Sequence, residues 1–309
     1  MRLITRADFD GLACGAILLE AGLVDSWKFV HPKDLQDGKI EITENDVLTN
    51  VPYVDGCGMW FDHHASQIES LPEGKEVPGV RKIAPSCAEI VYQYYGGVGK
   101  FPHLEDMVIA ANKVDSADLT LEDIENPQGW VLLGFIMDPR TGLGRVNDFH
   151  KGNWELMEDM LNDCRDFDID ILLMLPDVAE RVEYYHKQSE LFKGMIKTYS
   201  WTKKDVVVTD LRGVSPIYTG NRFLLYSLYK EQNISIWIVD GFSGNCMIAV
   251  GHSILNRTST VDVGAIMAKH GGGGHTMVGT CQVNADSVDE IVRELVEFFN
   301  LHEYKKEDE

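Results

Sequence analysis

Short apolar runs alternate, along the first half of the chain, with longer stretches whose apolar residues recur every three or four positions. Residues 2–5, 27–31, 46–51 and 59–61 carry the run pattern of buried strands, and residues 12–23, with Ala16, Leu19 and Leu23 on one face, carry the helical one. Ser86-Cys87-Ala88-Glu89 matches a capping box, opening a helix through Tyr94 that Gly96 and Gly97 end. Another helix from about residue 104 runs into Lys113-Val114-Asp115-Ser116-Ala117-Asp118. Strands alternating with helices predict an α/β fold built on a doubly wound, mostly parallel sheet.

Residues 150–175 are acidic and helical in pattern, and Val182, Tyr185, Leu191, Met195, Ile196 and Tyr199 mark one long helix over 178–199. Beyond it the pattern starts afresh. Strands are expected at 205–208, 234–239, 247–254 and 277–283, helices at 221–230 and 261–269, and a last helix opens on a second capping box, Ser287-Val288-Asp289-Glu290. Residues 305–309 form a charged tail expected to fray. A chain of 309 residues exceeds one typical core. We expect residues 1–177 to form one α/β domain, 178–204 a helical link and 205–309 a smaller α/β domain.

Composition narrows the partners more than the fold. With 44% hydrophobic and 25% charged residues the chain reads as globular, and its net charge of −21 argues against a large basic surface tracking duplex DNA. A small phosphorylated substrate or a short single-stranded oligonucleotide stays open, because a few cations can reverse the potential inside one cleft. No apolar run approaches the roughly 20 residues that span a bilayer. The first residues, Met1-Arg2-Leu3-Ile4-Thr5-Arg6, reach charge too early for a secretion signal, so a cytoplasmic protein is expected. The six cysteines are scattered, without the close pairs of zinc or redox motifs, and read as reduced thiols.

Candidate chemistry sits where strands end. Asp62-His63-His64 closes the run 59–61, and open α/β sheets bind ligands at the carboxyl ends of their strands. Asp8-Phe9-Asp10-Gly11 follows the first strand as a tight turn whose two carboxylates could share a divalent cation, or one of them could serve as a helix N-cap. These stretches, with Asp115 and Gly271-Gly272-Gly273-Gly274-His275, resemble in their order the motifs of the DHH/DHHA1 phosphoesterase superfamily, which includes exopolyphosphatase-like and oligoribonuclease-like members. The resemblance spans Thr5 to Val283.

That resemblance implies a DHH domain followed by a DHHA1-like substrate-binding domain. It assigns Asp8, Asp10, His63 and Asp115 to metal, with Asn50 at a further metal position and Asp118 as the alternative to Asp115, and makes Asp62 and His64 catalytic. His64 would contact the scissile phosphate. Arg257, Gly272, Gly273, Gly274 and His275 would bind substrate, the glycines by letting backbone amides approach phosphate and the arginine by its fork of donors. Two positions depart from the family pattern. Arg6 stands where a metal-binding histidine is usual, and Asn50 where an aspartate bridges two manganese ions, Asp46 and Asp55 being the nearby carboxylates. An added cation and a lost anion both disfavour a second dication, so one tightly held divalent ion, with manganese first, is expected. Arg6 could then bind phosphate in place of the missing ion. The implied function is a hydrolase of phosphodiester or phosphoanhydride bonds in short oligonucleotides, small nucleotides or polyphosphate, working in a cleft between the domains. The alternatives are a non-catalytic nucleotide- or phosphate-binding protein with a degenerate metal site, and a homodimeric scaffold.

Overall fold

Leu3, Ile4, Val47, Leu48, Trp60 and Phe61 are fully buried, and burial of both faces is what turns such short runs into strands of a parallel sheet. The computed structural model describes residues 1–65, 74, 76–241 and 244–302, so the charged tail at 305–309 lies outside the described residues. The chain opens with β1 (Arg2–Arg6), α1 (Phe9–Glu20), β2 (Ser26–Val30), α2 (Pro32–Gln36), β3 (Asp46–Thr49) and β4 (Met59–Phe61). The four strands form an all-parallel sheet in the order β2-β1-β3-β4. The order turns round between β1 and β3. In an open α/β sheet such a switch point leaves a crevice at the carboxyl ends of the two strands.

Hydrogen bonds pin both ends of that central pair. Arg2 Nε donates to Asp46 at 2.6 Å, and the Thr5 hydroxyl donates to the Thr49 carbonyl at 3.0 Å. Helices α3 (Cys87–Tyr94), α4 (Glu105–Asp115), α5 (Leu121–Glu125), α6 (Gly129–Met137), α7 (Asn153–Asp166) and α8 (Ile169–Leu172) follow, and the long α9 runs Pro176–Tyr199. Ser86 caps α3 by accepting from the Glu89 amide, as its capping box predicts. Hydrophobic periodicity assigned nothing at α6. Its run Val131 to Met137 is buried all round and has no polar face to betray a period.

The chain divides into two units, one of Met1–Leu119 with Asn126–Tyr185 and one of Thr120–Glu125 with His186–Glu309. In the second unit β5 (Ser200–Lys203), β6 (Val206–Asp210), α10 (Leu224–Leu228), β7 (Ile234–Asp240), β8 (Asn245–His252), α11 (Val263–Lys269), β9 (Gly273–His275), β10 (Val278–Asn284) and α12 (Val288–His302) follow in order. Its sheet is mixed, ordered β5-β6-β7-β8-β10-β9, and only β6 and β7 run parallel. Residues from β6, β7, β8, β10, α11 and α12 share one apolar core. α10 is shorter than expected because Asn221 lies in the turn before it, its Oδ1 accepting from the Phe223 amide. Among the described residues no helix is long and apolar enough to cross a membrane. All six cysteines are free thiols.

Candidate metal centre

The turn from β1 into α1 is drawn tight by Gly11, where a Cβ would fall 2.1 Å from the Arg6 carbonyl oxygen. That closeness lets Asp8 cap α1, accepting from the Gly11 amide at 3.0 Å. The same Asp8 Oδ1 accepts from Asn50 Nδ2 at 3.0 Å, and Oδ2 pairs with Arg6 Nε at 2.9 Å. Asp10 points to another helix start. Its two oxygens accept from the amides of Cys87 (3.0 Å) and Ala88 (2.7 Å), the first residues of α3. Burial, with Asp115 and Asp8 adding to it, pushes the Asp10 carboxyl well above its ordinary range, and the two amides only partly oppose this.

At the end of β4 the two histidines part company. His63 Nδ1 lies 3.2 Å from the Ala84 carbonyl oxygen, which places its hydrogen there and leaves the lone pair on Nε2. That Nε2 is buried and without a hydrogen-bond partner. It lies 3.7 Å from Asp10 Oδ2 and 3.3 Å from Asp115 Oδ2. Ligand atoms of Asp10, His63 and Asp115 fall within 4.8 Å of one another. His64 turns instead to the buried Asp62, whose Oδ1 accepts from the His64 amide (2.7 Å) and Nδ1 (2.9 Å). The hydrogen bond to Asp62 raises the pKa of His64 against the opposing effect of burial.

These three residues fit a divalent cation. Two carboxylates and a neutral imidazole nitrogen are a hard, mixed donor set, one dication balances their charge, and the uncapped Nε2 has no protein partner to give up. Asp8 and Asn50 stand outside the triad, hydrogen bonded to each other. Asn50 adopts a left-handed φ of 54° at the end of β3, and its buried Oδ1 has no partner. Of the alternative carboxylates, Asp46 is taken up by Arg2 and the Thr43 amide, and Asp55 accepts from the Tyr53 hydroxyl. Asp118 lies just beyond α4, its amide bonded to the Lys113 carbonyl.

A cation missed in the sequence joins the acidic group. Arg140 is held by its own amide and Nε against Asp138 at 2.8 Å. Burial works against its charge, yet Asp138, Asp8 and Asp115 together raise its pKa. The signal for it was the Asp138-Pro139-Arg140 turn that closes an apolar helix.

In the second unit the glycine run is an edge strand. A Cβ at Gly272 would meet the Thr280 carbonyl oxygen at 2.0 Å, and one at Gly274 the Val278 carbonyl oxygen at 2.2 Å, whereas Gly273 has open space around it. Gly272 and Gly274 are thus demanded by packing against β10, whereas Gly273, like Gly271 before the strand, offers unobstructed backbone. His275 ends the strand exposed. Arg257 Nε donates to the Ile254 carbonyl at 2.9 Å, which fixes the direction in which its fork of donors points.

An all-parallel sheet that brings Asp10 and the Asp62-His63-His64 triplet to its carboxyl edge, with Asp115 arriving from a helix, is the arrangement of the DHH phosphoesterases. The chain belongs to that superfamily. It is 42% identical to a solved structure described as the pGpG-specific phosphodiesterase PggH of Vibrio cholerae, over 97% of this chain and 99% of that one, with a TM-score of 0.86. Two more distant structures share the fold. One is RecJ in complex with Mn2+ from Thermus thermophilus, at 11% identity over 97% of this chain and 52% of that one, TM-score 0.53. The other is an exonuclease RecJ bound to manganese, at 12% identity over 97% and 90%, TM-score 0.50. No family model matches the chain, and no curated protein matches it.

Proposed function

We propose that the protein is a metal-dependent phosphodiesterase of short oligonucleotides, with a guanine dinucleotide of the pGpG kind as its substrate and two mononucleotides as products. The observation that carries this reading is the convergence of Asp10 and Asp115 on the uncapped Nε2 of His63. The likeness to a pGpG phosphodiesterase over nearly both whole chains supports the choice of substrate. Polyphosphate, another substrate the family pattern admits, has no such support.

A divalent ion, manganese in our reading, held by Asp10, His63 and Asp115 would polarise a phosphoryl oxygen and ease the loss of a proton from water. The chain's own groups do the rest. The Ala84 carbonyl fixes the His63 tautomer, and the amides at the start of α3 fix the Asp10 carboxylate. Asp62 holds His64 by Nδ1 and favours its protonated form, so that Nε2–H can donate to the scissile phosphate and then to the departing oxygen. Arg6 and Arg140 supply fixed positive charge for the non-bridging oxygens. In the second unit we assign phosphate binding to Arg257, Gly273 and His275, with Gly272 and Gly274 shaping the strand that carries them.

The test is turnover of pGpG beside metal content. About one manganese per chain and hydrolysis to GMP are expected. Full metal occupancy with no turnover of any short oligonucleotide would select the second reading, a phosphate-binding protein, which the Arg6–Asp8 pair and the Asn50 amide favour.

A further inference from the structure

The mechanism leaves unused one buried guanidinium and the cavity it lines. Arg181 is 1% exposed. Its terminal nitrogens are committed, one donating to the Asp177 carbonyl (2.8 Å) and Glu180 (3.1 Å), the other to the Lys151 carbonyl (2.6 Å) and Asn153 (3.4 Å). Its flat face lies 4.3 Å from the centre of the Phe149 ring. The remaining donor, Nε–H, is buried and without a partner. A buried unpaired donor costs free energy and calls for an explanation. This one belongs to a residue that lines a cavity of about 340 Å³ in the first unit.

Apart from Asn153 the other walls are apolar, with Met137, Leu156 and Met157 among them, and Trp154, 56% exposed, brings the cavity to solvent. Ala7 forms part of the lining. It lies between Arg6 and Asp8, so the cavity shares the β1–α1 turn with the metal centre. That volume is at the small end of the roughly 300–1,000 Å³ of ligand pockets and suits one base better than a dinucleotide.

We propose that this cavity is the nucleobase pocket of the phosphodiesterase and selects guanine over adenine. The inference rests on the function proposed above and deepens it. An indole at the mouth offers a stacking face for a flat ring. The unpaired Nε–H of Arg181, a residue of the wall, favours a ring rich in acceptors: guanine presents two, O6 and N7, whereas adenine presents N7 beside an amino donor where O6 would be. A base seated here keeps its phosphate close to the turn that carries Arg6 and Asp8.

Three measurements decide it. The unmodified protein should cleave pGpG at least about tenfold better than pApA in kcat/KM, and Arg181→Met should collapse that ratio. Trp154→Ala, which removes an exposed ring and leaves the core alone, should raise KM for pGpG about tenfold while kcat changes little. GMP should quench tryptophan fluorescence more than AMP does, and the quench should vanish in Trp154→Ala. No preference between the dinucleotides, an unchanged ratio in a folded Arg181→Met, or a GMP quench that survives Trp154→Ala would each overturn the pocket. Should Arg181→Met fail to fold, the dinucleotide preference and the Trp154→Ala results decide alone. GMP binding at Trp154 without cleavage of either dinucleotide would instead overturn the proposed activity and leave the pocket standing.

Discussion

His63 and His64 are neighbours in sequence with ring centres 4.2 Å apart, yet their partners give them different work. His63→Ala should lose both metal and turnover, whereas His64→Ala should keep its metal and lose turnover by about 10²- to 10⁴-fold, the scale of general acid catalysis. Metal content measured beside pGpG hydrolysis checks this, and equal metal loss in both variants would mean that the pair is divided wrongly. Arg6 and Asn50 pose the opposite test. Paired with Asp8, they leave Asp10 and Asp115 as the uncompensated carboxylates, enough for one dication. Arg6→His with Asn50→Asp removes a cation, adds an anion and keeps a residue type that tolerates the left-handed φ of 54°. Manganese titration by calorimetry should then move from one site toward two; two tight sites in the unmodified protein would contradict the charge argument. The grouping of Asp10, His63 and Asp115 was legible through the resemblance carried by the motifs in which they stand. Arg181 was not, since nothing in spacing says which of many arginines a fold will turn inward; Arg140 stays exposed, and only the fold brings its charge to the acidic group.

At the scale of elements, glycines of one motif separate by function. Gly274→Ala places a methyl 2.2 Å from a carbonyl oxygen at a φ of 157°, and should destabilise the second unit by at least about 1–3 kcal/mol. Gly273→Ala meets nothing within 4 Å, so stability should stay within about 0.5 kcal/mol while KM for pGpG rises. Equal destabilisation of both variants in thermal melts would refute the division. The tie between β1 and β3 makes a prediction in pH. Burial opposes ionisation of Asp46, but Arg2 and the Thr43 amide and hydroxyl overcome it and hold the carboxyl below its usual value. A depressed folded pKa contributes stability that is fully present above the unfolded value of about 4 and is lost as pH falls from there through the lower folded pKa. Asp46→Asn should cost about 1.5–3 kcal/mol near neutrality and flatten the acid side of the stability curve; an unchanged acid limb would show that other carboxylates set it. Alternating strands and helices were legible here because burial imposes period. β5 was not, because it follows α9 without a break and turns into β6 through Lys204, at φ 50°, where no glycine or asparagine marks the hairpin.

For the whole molecule, metal binding should be felt by one unit only. A ligand bound by the folded state alone stabilises it by about 2.7 kcal/mol at a hundredfold excess over its Kd. Manganese should therefore slow hydrogen exchange around Asp10, His63 and Asp115 and leave the six-stranded sheet unaffected; equal slowing in both would argue for ions held elsewhere. A net charge of −21 leaves little counterion release to drive duplex binding, in keeping with a protein that takes small anions at a local centre. The units are also threaded through each other in sequence. Residues 120–125 belong with the second unit, while 126–185 return to the first. Ile124 is fully buried and its carbonyl accepts from Asn221 Nδ2 at 3.5 Å. During synthesis, then, Ile124 leaves the ribosome 97 residues ahead of that partner, and α5 waits for it while both segments that flank it in sequence belong to the first unit. A gene cut at the 185/186 boundary would strand this helix on the wrong fragment, so the halves cannot be exchanged between relatives by a single crossover.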